Sequence, residues 1–167
     1  MPKSYQGIDP NKYKITPRTL IFLFNAHNQV LLLRGAEYKR LWAGLFNGIG
    51  GHVEAGEDIF ESAQRELWEE AGIISKTLQF CGQIMIDVVP GNGVGVFLFR
   101  GRYEGQEFRP SEEGVLAWVN LDQLDQIPLV EDLPLLVPRL AVFKPGDPLM
   151  IGKYTYDSDG QLEVSIR

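Results

Sequence analysis

A chain of 167 residues, 44% hydrophobic and 23% charged, has the composition of an ordinary globular protein, long enough for one proper core and too short for two comfortable domains. Its formal net charge of −6 argues against broad binding to nucleic-acid polymers, which runs on Lys and Arg, and no apolar run approaches the roughly 18 residues of a membrane span. The single Cys81 excludes an internal disulfide framework and a Cys-based zinc centre, and no signal-like apolar stretch opens the chain, so a soluble cytoplasmic protein is expected.

Residues 1–14 are polar and turn-rich and are expected to form an arm, followed by one domain over 15–167. Apolar β-type runs at 20–24 and 30–33 flank a polar turn at 25–29, a hairpin pattern. A basic and aromatic loop over 35–46 carries Lys39, Arg40 and Trp42. It leads into Asn47-Gly-Ile-Gly-Gly51, too glycine-rich for a plain strand. A helix is predicted over 59–71. Asp58 is its N-cap, Glu61 stands in capping-box spacing, and Gly72 is a left-handed terminator. Its apolar positions Ile59, Ala63, Leu67 and Ala71 fall every four residues on one face. Strands are predicted at 78–89 and 94–103 around Pro90-Gly-Asn-Gly93, and at 115–119. A short helix at 121–126, a longer one at 133–143 and a final hairpin of 149–156 with 162–166 complete the chain. The inventory is α+β: a mixed β-sheet with two or three helices, or an α/β/α sandwich.

The end of the first helix breaks local rules. Glu66, Glu69 and Glu70 crowd neighbouring turns of one surface, and such like-charge pairs cost about 0.2–0.5 kcal/mol each. Glu69 and Glu70 also occupy the last turn, where the helix dipole disfavours anions by roughly 0.3–1 kcal/mol. Rules broken together at one spot are what a functional site looks like. Hard oxygen donors with no Cys nearby point to Mg²⁺, with Mn²⁺ as a substitute, rather than zinc.

Gly51, Glu57 and the run Arg65-Glu66-Leu67-Trp68-Glu69-Glu70-Ala71-Gly72-Ile73 together resemble the Nudix box at every specified position. The resemblance implies a Nudix-type α/β/α sandwich and a Mg²⁺-dependent hydrolase of phosphoanhydride bonds in nucleoside diphosphate-linked substrates. It implies a metal held by Glu66 and Glu70, helped by Glu69 and the Gly50 carbonyl, with Glu69 or Glu66 handling the attacking water. Glu57 and Arg65 are expected to brace the loop against the helix as an ion pair. A further acid from a later loop often completes such a site, and Glu113 is the candidate.

The segment 41–51 is similar to that of the branch acting on oxidised purine nucleoside triphosphates such as 8-oxo-dGTP. By that likeness Asn47 hydrogen-bonds the base, although an Asn before glycine also suits a turn. Phe46, Trp42 and Trp118 are aromatics able to stack a base or fill the core, and Lys39 and Arg40 are candidates to meet the distal phosphates. The purine-reading acids of that branch are missing from their usual place. Glu131 or Asp132 substitutes for them, or the base is held differently, or the substrate is ADP-ribose, a dinucleoside polyphosphate or a nucleotide sugar. Two other classes are weighed against hydrolysis: a non-catalytic nucleotide-sensing domain, and an isopentenyl diphosphate isomerase built on Cys81. The expected partner is a small nucleotide, with no nucleic-acid polymer or membrane, and the chain as a monomer or homodimer.

Overall fold

Alternating side chains on the central strands decide the layers. The computed structural model describes residues 7, 9, 11–38, 42–109 and 111–167. In strand β1 (Lys14–Phe24), Ile21 and Leu23 face one side with Leu31 and Phe99, while Phe22 and Phe24 face the other with Val30, Leu32 and Leu98. A strand with apolar residues on both sides must be covered on both. Helix α1 (Ile59–Ala71) covers the first face through Ala63, Leu67 and Ala71. Helix α2 (Leu133–Val142) covers the second through Leu133, Leu136, Val137 and Leu140. The result is the expected α/β/α sandwich about a mixed sheet.

The remaining strands are β2 (Gln29–Gly35), β3 (Phe46–Asn47), β4 (Gln79–Val89), β5 (Asn92–Arg102), β6 (Gly114–Asn120), β7 (Met150–Tyr156) and β8 (Leu162–Ile166). They run in the order β3-β2-β1-β5-β4-β7-β8, with β6 also paired to β2. The pairs β1–β5 and β4–β7 are parallel and the others antiparallel.

Two expectations shift. β1 starts at Lys14 rather than at residue 20, because its whole length pairs in register with β5 from Lys14↔Asn92 to Phe24↔Arg102. That pairing is non-local and leaves no apolar signature over 14–19. The predicted helix at 121–126 is a 3₁₀ helix. Among the described residues no helix is long and apolar enough to cross a membrane.

Both ends of α1 form as its sequence requires. Asp58 Oδ1 accepts the N–H groups of Phe60 (2.7 Å) and Glu61 (2.9 Å), and Glu61 Oε2 accepts that of Asp58 at 2.9 Å. Gly72, at φ 69°, ends the helix in the left-handed region that a side chain disfavours. In α2, Pro134 stands in the first turn, where its missing N–H costs nothing.

Candidate active site

The glycine-rich segment and α1 meet at the edge of the sheet. Ile21 exchanges both main-chain hydrogen bonds with Ile49, and the Thr19 N–H donates to the Gly51 carbonyl at 2.9 Å, so 49–51 lie flat against β1. The Glu66 carboxylate packs so closely on Gly51 that a Cβ there would collide with its Oε1. Gly51 is thus glycine for the sake of Glu66. Glu70 Oε2 accepts the Gly50 N–H at 3.3 Å. Both carboxylates are nearly enclosed, Glu66 at 9% and Glu70 at 6% exposure.

Arg65 organises these acids. Its guanidinium is bidentate to Glu57, at 2.7 Å from Nε to Oε1 and 3.1 Å from Nη2 to Oε2. Nη1 reaches Glu66 Oε1 (2.8 Å) and Glu69 Oε2 (3.0 Å), and Nη2 donates to the His52 carbonyl at 2.9 Å. The Glu57–Arg65 brace is therefore present, and Arg65 also offsets part of the like-charge crowding at the helix end. The Glu57 hydrogen bonds above all hold the guanidinium pKa up, and Arg65 in turn lowers that of Glu57. Burial outweighs Arg65 at Glu66, whose carboxyl pKa is raised.

Glu66 and Glu70 open onto a cleft of about 850 Å³ that reaches across the α2-side face of the sheet. Leu20, Ile84, Ile86, Val94 and Val96 supply apolar wall, and Arg18, Asn47, His52, Glu113 and Asp132 supply polar wall. Apolar walls with a few placed polar groups are what small-molecule sites present, and the volume lies within their usual range. Asp132 Oδ2 accepts the Tyr154 hydroxyl at 3.0 Å, and burial raises the Asp132 pKa more than this bond lowers it. Burial likewise drives the Tyr154 pKa upward.

The structure thus brings together Gly50, Glu66, Glu70, Glu113, Asn47 and Asp132. It does not gather all the candidates. Glu69 turns away from the cleft wall to Arg65, its side chain 56% exposed. Phe46 does not line the cleft, contrary to its candidacy for binding substrate. Phe46 packs half-buried against the α2-side core, while its neighbour Asn47 lines the cleft. Trp118 stacks on Tyr103, with centroids 6.4 Å apart, and donates to the Gly105 carbonyl, away from the cleft. Gly50 meets Glu70 through its N–H, a contact separate from the metal-ligand role expected of its carbonyl. Asn47 Oδ1 accepts the Gly48 N–H at 2.8 Å, so the turn role is realised, while its cleft position is also as expected. Lys39 and Arg40 lie outside the described residues.

The residues overlooked in the sequence are Arg18, Thr19 and Tyr154, and His52, read there as a partly exposed strand residue at an unspecified position of the box, also lines the cleft. Arg18 and Thr19 precede the apolar run that marked the strand. Tyr154 was legible only as one alternate position of a C-terminal hairpin.

With the geometry in place, one family model and three known proteins bear on the site. A family model described as the NUDIX domain matches residues 14–140. The oxidized purine nucleoside triphosphate hydrolase of Danio rerio is 35% identical over 95 residues, which are 56% of this chain and 60% of that protein. Its counterpart in Mus musculus is 36% identical over 104 residues, or 62% of this chain and 65% of that protein. The matches therefore span less than two thirds of these relatives' length. The mutator MutT protein of Bacillus halodurans superimposes with a TM-score of 0.75 at 26% identity, covering 91% of this chain and 97% of that one.

Proposed function

The chain belongs to the Nudix family, and from that premise we propose that it is a Mg²⁺-dependent diphosphohydrolase of purine nucleoside triphosphates, oxidised ones such as 8-oxo-dGTP included. The observation that carries this reading is the pair of nearly buried carboxylates, Glu66 and Glu70, opening with the Gly50 main chain onto one nucleotide-sized cleft.

The donor set fits the cation. Among the described residues no three His, Cys, Asp or Glu side chains converge into a ready cage. Mg²⁺ does not need one, since it usually takes one or two carboxylates and fills its remaining positions with water and substrate phosphate. Glu66 and Glu70 would hold it, and it would there neutralise the charge of a diphosphate and acidify a water.

The rest falls to the chain's own residues. Glu66 is better placed than Glu69 to orient a water and take its proton, because it lines the cleft whereas Glu69 turns to Arg65. Arg65 fixes the Glu66 rotamer through the 2.8 Å bond, and Glu57 fixes Arg65. Glu113 is the candidate to complete the acidic wall. The apolar wall excludes water from the base, while Asn47 and Asp132 offer the hydrogen bonds that tell one base from another. The relatives' substrate class supports a purine triphosphate over the other nucleotides weighed above. Cys81 takes no part, since it is buried and burial pushes its thiol up to about 11.

Purified protein with Mg²⁺ is expected to release pyrophosphate or phosphate from 8-oxo-dGTP in a panel that includes dGTP, ADP-ribose and diadenosine polyphosphates. Glu70→Gln is expected to lower kcat about 100-fold or more with an unchanged circular dichroism spectrum, because loss of a ligand forfeits several kcal/mol of charge stabilisation. An active Glu70→Gln enzyme removes the metal assignment, and a wild type inert on the whole panel removes the hydrolase reading.

A further inference from the structure

The cleft is acidic where its proposed substrate is anionic. Glu54, Glu66, Glu70, Glu113, Glu131 and Asp132 all line it, and among the described residues its wall contains a single Lys or Arg, which is Arg18. One divalent cation at Glu66 and Glu70 offsets only part of the repulsion a triphosphate meets there.

Arg18 is held like a binding residue. It leaves β1 beside the glycine-rich segment, bridged across the backbone to His52. Its Nε–H donates to His52 Nε2 at 3.1 Å, which occupies one edge of the guanidinium and leaves both Nη groups to point elsewhere. His52 can accept that bond only as the neutral imidazole. Trp42 lies against the guanidinium, its ring centroid 5.9 Å from Cζ. Trp42 itself adopts φ 57°, a conformation disfavoured for a bulky residue, and it lines the same cleft. Among the described residues Arg18 forms no salt bridge, although Glu66 is close enough to act on its charge. A half-buried guanidinium fixed on one edge by a neutral acceptor, stacked on one face and aimed into an anion's cleft is built to receive phosphate oxygens.

We propose that Arg18, set by His52 and Trp42, grips the phosphate chain of the substrate in this cleft. The inference rests on the proposed hydrolase reading for the identity of that substrate, and on the geometry alone for the binding of a polyphosphate.

Two measurements on the full chain separate the two. The first is calorimetric titration of inorganic tripolyphosphate into the wild type, Arg18→Gln and Arg18→Lys, with and without Mg²⁺. The second is steady-state hydrolysis of 8-oxo-dGTP by the same proteins. Arg18→Gln is expected to weaken tripolyphosphate binding and to raise KM, each about 10- to 100-fold, the usual worth of a hydrogen bond between charged groups. Its kcat is expected to fall much less, and its melting temperature to stay within a few degrees of the wild type. Arg18→Lys, which keeps the charge but loses the fork, is expected to fall between the two. Tripolyphosphate binding and KM within twofold of the wild type in Arg18→Gln overturn the proposal while leaving the hydrolase reading intact. Arg18-dependent tripolyphosphate binding by a protein that hydrolyses nothing upholds it and overturns the hydrolase reading instead. Should Arg18→Gln fail to fold, the Arg18→Lys arm decides alone: unchanged binding and KM there overturn the fork geometry on which the proposal depends.

Discussion

Asp132 sets the cost of a partly buried carboxylate against the recognition role proposed for it. It stands at the start of α2 yet makes no side-chain cap; its carboxylate turns instead to the Tyr154 hydroxyl at 3.0 Å. Because burial raises its pKa above 3.8, the folded state binds the Asp132 proton more tightly than the unfolded state does. As pH rises through 3.8 the unfolded chain ionises first, so stability falls until the raised folded value is passed and the cost is then constant. Asp132→Asn keeps an acceptor for Tyr154 and removes that cost. The variant is therefore expected to melt above the wild type at pH 8 and to lose the advantage as pH falls towards 3, a modest effect because the side chain is only half-buried. Melting curves at both pH values check it, and an offset independent of pH removes the ionisation argument. A carboxylate kept at such a cost, at the cleft wall, supports the base-reading role proposed for Asp132.

At the scale of elements, the legible parts are those with local causes. α1 has its predicted bounds because a cap is settled by a few adjacent residues: Asp58 and Glu61 at one end, Gly72 at the other. Asp58→Ala is expected to destabilise the protein by about 0.5–2 kcal/mol. For a chain of this size that lowers Tm by roughly 2–4 °C per kcal/mol. The kcat should change little, since Glu66 and Glu70 lie two and three turns away and are anchored through Arg65, Gly50 and Gly51. Thermal melts with parallel assays test both halves, and a large loss of kcat at unchanged Tm shows that the cap reaches the site. The illegible parts have non-local causes. The first six residues of β1 owe their extended form to β5, some eighty positions away, and those residues include Arg18 and Thr19. Phe46 and Asn47 read alike as site candidates, and only the pairing of β3 with β2 through Leu33↔Asn47 and Arg34↔Phe46 fixes which one faces the cleft. The box glutamates were legible as a cluster, but not that Arg65 would draw Glu69 aside.

The whole molecule joins two unlike layers across its central strands. The α1 side supplies Glu66 and Glu70, the α2 side supplies Asp132, and β7 supplies Tyr154, so the cleft is complete only when both cores have formed. Such a site couples ligand binding to global stability. Two carboxylates with 9% and 6% exposure are costly to bury, and a cation that binds them only in the folded state stabilises that state by RT ln(1 + [L]/Kd). At a hundred times Kd this amounts to about 2.7 kcal/mol, or an upward Tm shift of roughly 5–10 °C. Mg²⁺ is thus expected to raise Tm in a saturable way beyond a NaCl control of equal ionic strength. Glu70→Gln should abolish most of the shift while starting, before Mg²⁺ is added, at or somewhat above the wild-type Tm, since a charge that is costly to bury has been removed. An equal shift in wild type and Glu70→Gln would place the cation on the exposed acidic surface, and the cleft would then have to be explained by Arg18 and the apolar wall alone.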